Sequence, residues 1–138
     1  MTSDRWQLKQ IADFFYLLVD NDDESGKDIL QKRFKKDKAA HEFLFNLIEK
    51  IDEMGYTNGV EFAFASKRFD TIKGTSLSLI EIRRFDKTWR VITYLSKKRQ
   101  KLVMLDAFEA HKHISMEKKI EQIKPLAEHA MRLLEEGE

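Results

Sequence analysis

The side chains best suited to chemistry gather in one part of the chain. Ala110-His-Lys-His113 sets two imidazoles around an amine. An unperturbed histidine titrates near pH 6.5, so His111 and His113 can take up or release a proton at neutral pH. Upstream stand Arg83, Arg90, Tyr94 and the run Lys97-Lys98-Arg99. A guanidinium stays charged and grips a phosphate through parallel N–H donors. A phenol can stack on a ring and hydrogen-bond at its edge. This set suits proton transfer beside a bound anion. Metal chemistry fits less well. A third ligand beside His111 and His113 would come from Asp106, Glu109 or His129, and no spacing fixes their distance. The carboxylates of 20–24 lack the alternating ligand spacing of a calcium loop. His41 has no second ligand at a suitable spacing and reads as structural. No metal and no other cofactor is expected.

Those side chains need strands to hold them. Three runs rich in β-branched and aromatic residues cover 77–84, 89–95 and 101–108, separated by about four or five polar residues. Connections this short make hairpins, because a parallel crossover needs about a dozen residues. In the first strand Leu77, Leu79, Glu81 and Arg83 share one side. In the second, Arg90, Ile92, Tyr94 and Ser96 share one side. In the third, Val103, Leu105 and Ala107 are expected to face the helices. Leu102, Met104, Asp106 and Phe108 would then take a side that something else covers in part.

Most of the remainder reads as helix. Leu8, Ile11, Phe14, Phe15 and Leu18 recur at helical spacing, which predicts a helix over 5–19. The run 14–19 also fits a buried strand. A short helix follows at 27–34, with Lys32, Arg33, Lys35, Lys36 and Lys38 as a solvated basic face. Residues 38–54 carry the clearest apolar stripe, closed by Gly55. Val60 to Ala65 alternates and reads as extended. Ser115 can cap a helix, and Pro125 should break it, kink it or start another. The expected fold class is α+β: a small antiparallel sheet of three or more strands packed against helices. It forms a single domain over 1–138, with a helical N-terminal region at about 1–36 and a C-terminal helical region at about 115–136.

The chain has 138 residues and no cysteine, which excludes disulfides and thiolate chemistry. No run reaches the roughly 20 apolar residues of a membrane span, and no signal-peptide pattern opens the chain. A cytoplasmic location without a membrane partner is expected. The net charge of +1 gives no general pull toward nucleic acid. Its distribution is uneven. The acidic side chains of 1–28 outnumber the basic ones, whereas 83–101 is strongly basic with Asp86 as its one acid. That pattern predicts a positive patch on the sheet and its turns. If helices cover one face only, the other face is left open, with a basic rim and an apolar centre. The acidic N-terminal segment is then one internal candidate to cover it.

The order of these runs resembles the RelE/HigB superfamily of small toxins, in particular its phage-derived HigB-like branch. The likeness lies in Leu79-Ile-Glu-Ile-Arg83, Trp89-Arg-Val-Ile-Thr-Tyr94, Leu102-Val-Met-Leu-Asp-Ala-Phe108, Ala110-His-Lys-His113 and Pro125-Leu-Ala-Glu-His-Ala-Met-Arg132. It spans about 70–135, with the 38–54 helix matching the helix before the sheet. The sequence departs from the family pattern where His-Lys-His replaces a lysine pair and where 115–124 precedes the last helix. The resemblance implies a RelE-like fold and the toxin of a type II toxin–antitoxin system. It further implies a metal-independent mRNA endonuclease that acts on ribosome-bound mRNA and is silenced by an antitoxin with a helix-turn-helix DNA-binding domain. Arg90, His111 and His113 are the catalytic candidates. Arg83, Tyr94, Lys97, Lys98, Arg99 and Lys112 are the RNA-binding candidates. RNA and antitoxin are expected to compete around Arg83, Arg90 and the 97–101 turn. The alternative is a non-catalytic protein- or RNA-binding module that keeps the toxin-like fold.

Overall fold

A computed structural model describes residues 5–110 and 115–135. The N-terminal region corrects the helical expectation. Strands β1 (Trp6–Gln10) and β2 (Phe15–Asp20) form an antiparallel hairpin. Phe15 and Leu17 enter the core on one side of the sheet, while Leu18 enters it on the other. A strand buried on both faces reads as a continuous apolar run, and here the run mimics a helical stripe. The carboxylate of Asp52 fixes the hairpin turn by accepting from the backbone N–H of Asp13 (3.1 Å) and of Phe14 (3.0 Å).

The short helix α1 (Ile29–Arg33) starts in a capping box between Asp28 and Gln31. Helix α2 (Lys38–Glu53) is capped by Asp37 and buries Ala40, Leu44, Leu47, Ile48 and Ile51. Gly55, with φ of 84°, lets the chain reverse into α3 (Tyr56–Ala65). The extended reading of 60–65 is therefore wrong. The small residues of α3 serve helix packing: a Cβ on Gly59 would lie 2.3 Å from the carbonyl oxygen of Ile51. Strands β3 (Phe69–Thr71), β4 (Leu79–Ile82), β5 (Trp89–Ser96) and β6 (Lys101–Glu109) then follow as antiparallel neighbours.

The sheet has six strands in the order β1-β2-β6-β5-β4-β3. It is antiparallel apart from β2 and β6, which pair in parallel through Phe15 with Leu102 and Leu17 with Met104. Helix α4 (Met116–Glu135) closes the chain. Ser115 caps it, its hydroxyl accepting from the N–H of Lys118 at 3.2 Å. Pro125 lies inside this helix and does not end it.

Both faces of the sheet are covered, contrary to the expectation of one open face. Residues of α1, α2 and α3 pack with Phe15, Ile80, Ile82, Val91 and Met104 on one side. Ile123, Ala127, Ala130 and Leu134 of α4 pack with Leu79, Ile92, Tyr94, Val103 and Leu105 on the other. The third strand also splits its side chains differently from strict alternation. Ile92 pairs with Asp106 and Thr93 with Met104, so Leu105 is an extra residue in a β-bulge. The bulge puts Leu105 and Asp106 on the same side, which period-two reading cannot foresee.

Candidate functional site

Strand β5 separates the basic residues that the sequence groups together. Arg90 stands at its start, and the 97–100 turn follows its end. Seven residues of strand span about 23 Å. The cations therefore fall at opposite ends of the sheet and do not form one patch.

At the first end, Ile82 of β4 pairs with Val91 of β5. Arg83 and Arg90 occupy the next cross-strand position, and Glu81 precedes them on the same face. The connecting turn is pinned by Phe85, which is buried and meets Phe34 at 6.4 Å. Asp86 tightens it by accepting from the N–H of Thr88 at 2.8 Å. Arg84 takes a left-handed φ of 62° and is exposed with Lys87. Together Arg83, Arg84, Phe85, Asp86, Lys87 and Arg90 line an open depression of about 440 Å³.

The two strand arginines differ in their freedom. Arg83 donates from Nη1 to Asp70 Oδ2 at 2.9 Å, while its Nε is enclosed without an acceptor among the described residues. Its ion pair ties the end of β4 to Asp70 of β3. Arg90 donates from Nη1 to the carbonyl of Trp89 at 3.2 Å and makes no ion pair among the described residues. Burial pushes the carboxyl of Glu81 up from its ordinary value, while the charges of Arg83 and Arg90 partly oppose that shift. Sequence reasoning passed over Glu81, although strand alternation already placed it beside Arg83.

Strand β6 leaves the sheet at this same end, where the N–H of Ala110 donates to the carbonyl of Thr88 at 2.7 Å. His111, Lys112 and His113 lie outside the described residues. Nearby, Asp106 accepts from Arg33 Nε at 2.7 Å and lies 3.6 Å from Lys119 Nζ. This buried carboxylate joins α1, the bulge of β6 and the first turns of α4. Sequence reasoning treated Arg33 as part of a solvated face. Nothing local predicts its partner, which is 73 residues away.

The other end has a different character. Tyr94 is buried at 4% exposure and donates its hydroxyl to Glu135 in α4. Burial, followed by the carboxylate of Glu135, holds the phenol protonated far into the alkaline range. Ser96 Oγ also donates to Glu135, at 3.1 Å, and Arg99 Nη2 donates to its carbonyl oxygen at 3.2 Å. The stacking role expected of Tyr94 needs an open ring, which this arrangement does not provide. Arg99 is likewise engaged with α4. Lys97 and Lys98 are exposed in the turn.

Among the described residues, no three His, Asp or Glu side chains are grouped so as to hold a metal ion, and no helix is long and apolar enough to cross a membrane. The chain matches no protein-family model, no curated protein and no solved structure. The functional reading therefore rests on the site itself.

Proposed function

We propose that the protein is a RelE/HigB-like toxin that cleaves mRNA without a metal, with ribosome-bound mRNA as substrate and a neutralising antitoxin as partner. The observation that carries this reading is the grouping of Glu81, Arg83 and Arg90 at the end of the sheet from which the chain passes to His111 and His113. The runs that carry the resemblance fold as β4, β5, β6 and the second half of α4.

In this reaction the 2′-hydroxyl attacks the adjacent phosphorus and the bond to the 5′-oxygen breaks. A base takes the 2′-hydroxyl proton and an acid supplies one to the 5′-oxygen, giving a cyclic phosphate and a free 5′-hydroxyl. Arg90 is the available guanidinium for the phosphate, stabilising the charge that grows on its oxygens. Arg83 is held by Asp70 and serves as a fixed positive charge beside it. Glu81 is suited to accept the proton because its raised pKa brings it nearer to the working pH. His111 or His113 serves as the acid.

Induced expression should arrest growth and leave cleaved transcripts. Replacing Arg90, His111 and His113 together by alanine should relieve the arrest in a chain that stays folded. An intact transcript pool during arrest sinks the nuclease reading. The second reading is a non-catalytic binding module. It is favoured by the pairing of Arg83 with Asp70 and by the burial of Tyr94, which take two candidate contacts out of reach. Binding of RNA or an antitoxin with no cleavage would select it.

A further inference from the structure

The groove between α1 and α2 has features that packing alone does not explain. Phe34, just after α1, is buried, and the ring of His41 lies on it at 5.1 Å and 12° from parallel. Phe45, one helical turn on, meets His41 at 4.8 Å. The three rings form a ladder from the core outward, its outer ring, Phe45, tilted by 46° from His41. His41 and Phe45 are half-buried and line an open groove of about 650 Å³. Lys27, Lys35 and Lys38 rim that groove with Glu42, while Asp28 lies within electrostatic reach of His41, and the three lysines make no ion pair among the described residues. His41 is the odd member of the ladder. Its Nε2 is enclosed with no hydrogen-bond partner among the described residues, a loss that phenylalanine would avoid with the same packing.

We infer that this groove takes a segment of single-stranded RNA, with one base stacked on Phe45 beside His41 and the flanking phosphates held by Lys35 and Lys38. Flat rings between spaced cations suit unpaired bases on a charged backbone. A duplex hides its base faces, and a purely acidic peptide such as polyglutamate has no ring to stack. Lys35 also borders a second depression, lined by Lys32, Arg33, Lys36 and Trp89 together with Asp37 and Glu109. The cationic rim of the groove thus continues past the end of α1. The inference rests on RNA as the partner and does not require cleavage.

The test is fluorescence anisotropy of the full chain with a labelled 12-nucleotide single strand, a duplex of equal length, and polyglutamate as competitor. Lys35→Glu with Lys38→Glu should weaken single-strand binding by about tenfold and make its salt dependence shallower. Phe45→Leu, a mild change with melting and circular dichroism as folding checks, should weaken the single strand about fivefold and leave the duplex unaffected. Unchanged affinity in both variants overturns the inference, as does absence of RNA binding by the native chain. Loss with the lysines alone, matched for polyglutamate, also overturns it and leaves a charged surface without a stacking site. The expected losses in a chain that cleaves no RNA uphold the groove and remove the nuclease reading instead.

Discussion

Tyr94 of the fifth strand donates its hydroxyl to Glu135 at the end of α4, so the sheet and the last helix share a buried polar contact. Ser96 donates to the same carboxylate, which leaves neither oxygen-bearing side chain of this strand end without a role. Tyr94→Phe should cost about 1–2 kcal/mol in denaturant unfolding, because it removes one hydrogen bond to a charged acceptor. RNA affinity should not change. A fall in affinity with unchanged stability would return Tyr94 to the binding surface.

Asp106 is the shared partner of Arg33 and Lys119. Its own side chain and that of Lys119 are 9% and 8% exposed, whereas that of Arg33 is 44% exposed. Asp106→Ala strands one buried ammonium and should destabilise by about 3 kcal/mol. Lys119→Met should cost less, since Asp106 keeps the guanidinium. Adding Lys119→Met to Asp106→Ala should recover part of the loss, and a double-mutant cycle in urea measures the coupling.

Glu81 gives a pH signature of defined sign. Burial raises its pKa in the folded chain above the ordinary carboxyl value. The folded state therefore binds more protons than the unfolded state between those two values. The stabilising contribution is complete below the ordinary value and is lost as pH rises through the folded one. Glu81→Gln should remove that slope from the stability profile. In the nuclease reading it should also abolish the acidic limb of the cleavage rate, while Arg90→Ala should lower the rate and move that limb to higher pH, because the Arg90 charge holds the Glu81 pKa down. A profile unchanged by Glu81→Gln would remove Glu81 from proton transfer.

Gly59 tests the helix layer. Alanine is the better helix former by about 1 kcal/mol. Here, however, its Cβ would lie 2.3 Å from the carbonyl oxygen of Ile51, which is backbone and cannot move aside alone. Gly59→Ala should therefore lower stability by about 1–3 kcal/mol. A raised melting temperature would show that α2 and α3 separate freely.

The sequence displayed the central hairpins clearly because polar turns and β-branched runs are local signals. The 38–54 helix was equally legible, since one stripe of Ala40, Leu44, Leu47, Ile48 and Ile51 meets one layer. The first hairpin was not. Phe15, Leu17 and Leu18 serve both layers, so their spacing lost the alternation that marks a half-buried strand. The same loss hid the second covered face and with it the burial of Tyr94. At the site, residue types pointed to Arg83 and Arg90, and register brought them together. Their different freedom depends on Asp70, and the role of Asp106 depends on a bulge. Both are tertiary facts with no local trace.

The parallel pairing of β2 with β6 sets a schedule for the chain during its synthesis. Phe15 finds Leu102 only after nearly all of the intervening protein has been made. At about 5–20 residues per second, that wait is roughly 4–17 s. Through it the first hairpin exposes an apolar strand edge of the kind that invites pairing with other chains. Until β6 is made, the hairpin has only the helix layer to pack against, through Asp52 and the residues around Phe14 and Phe15.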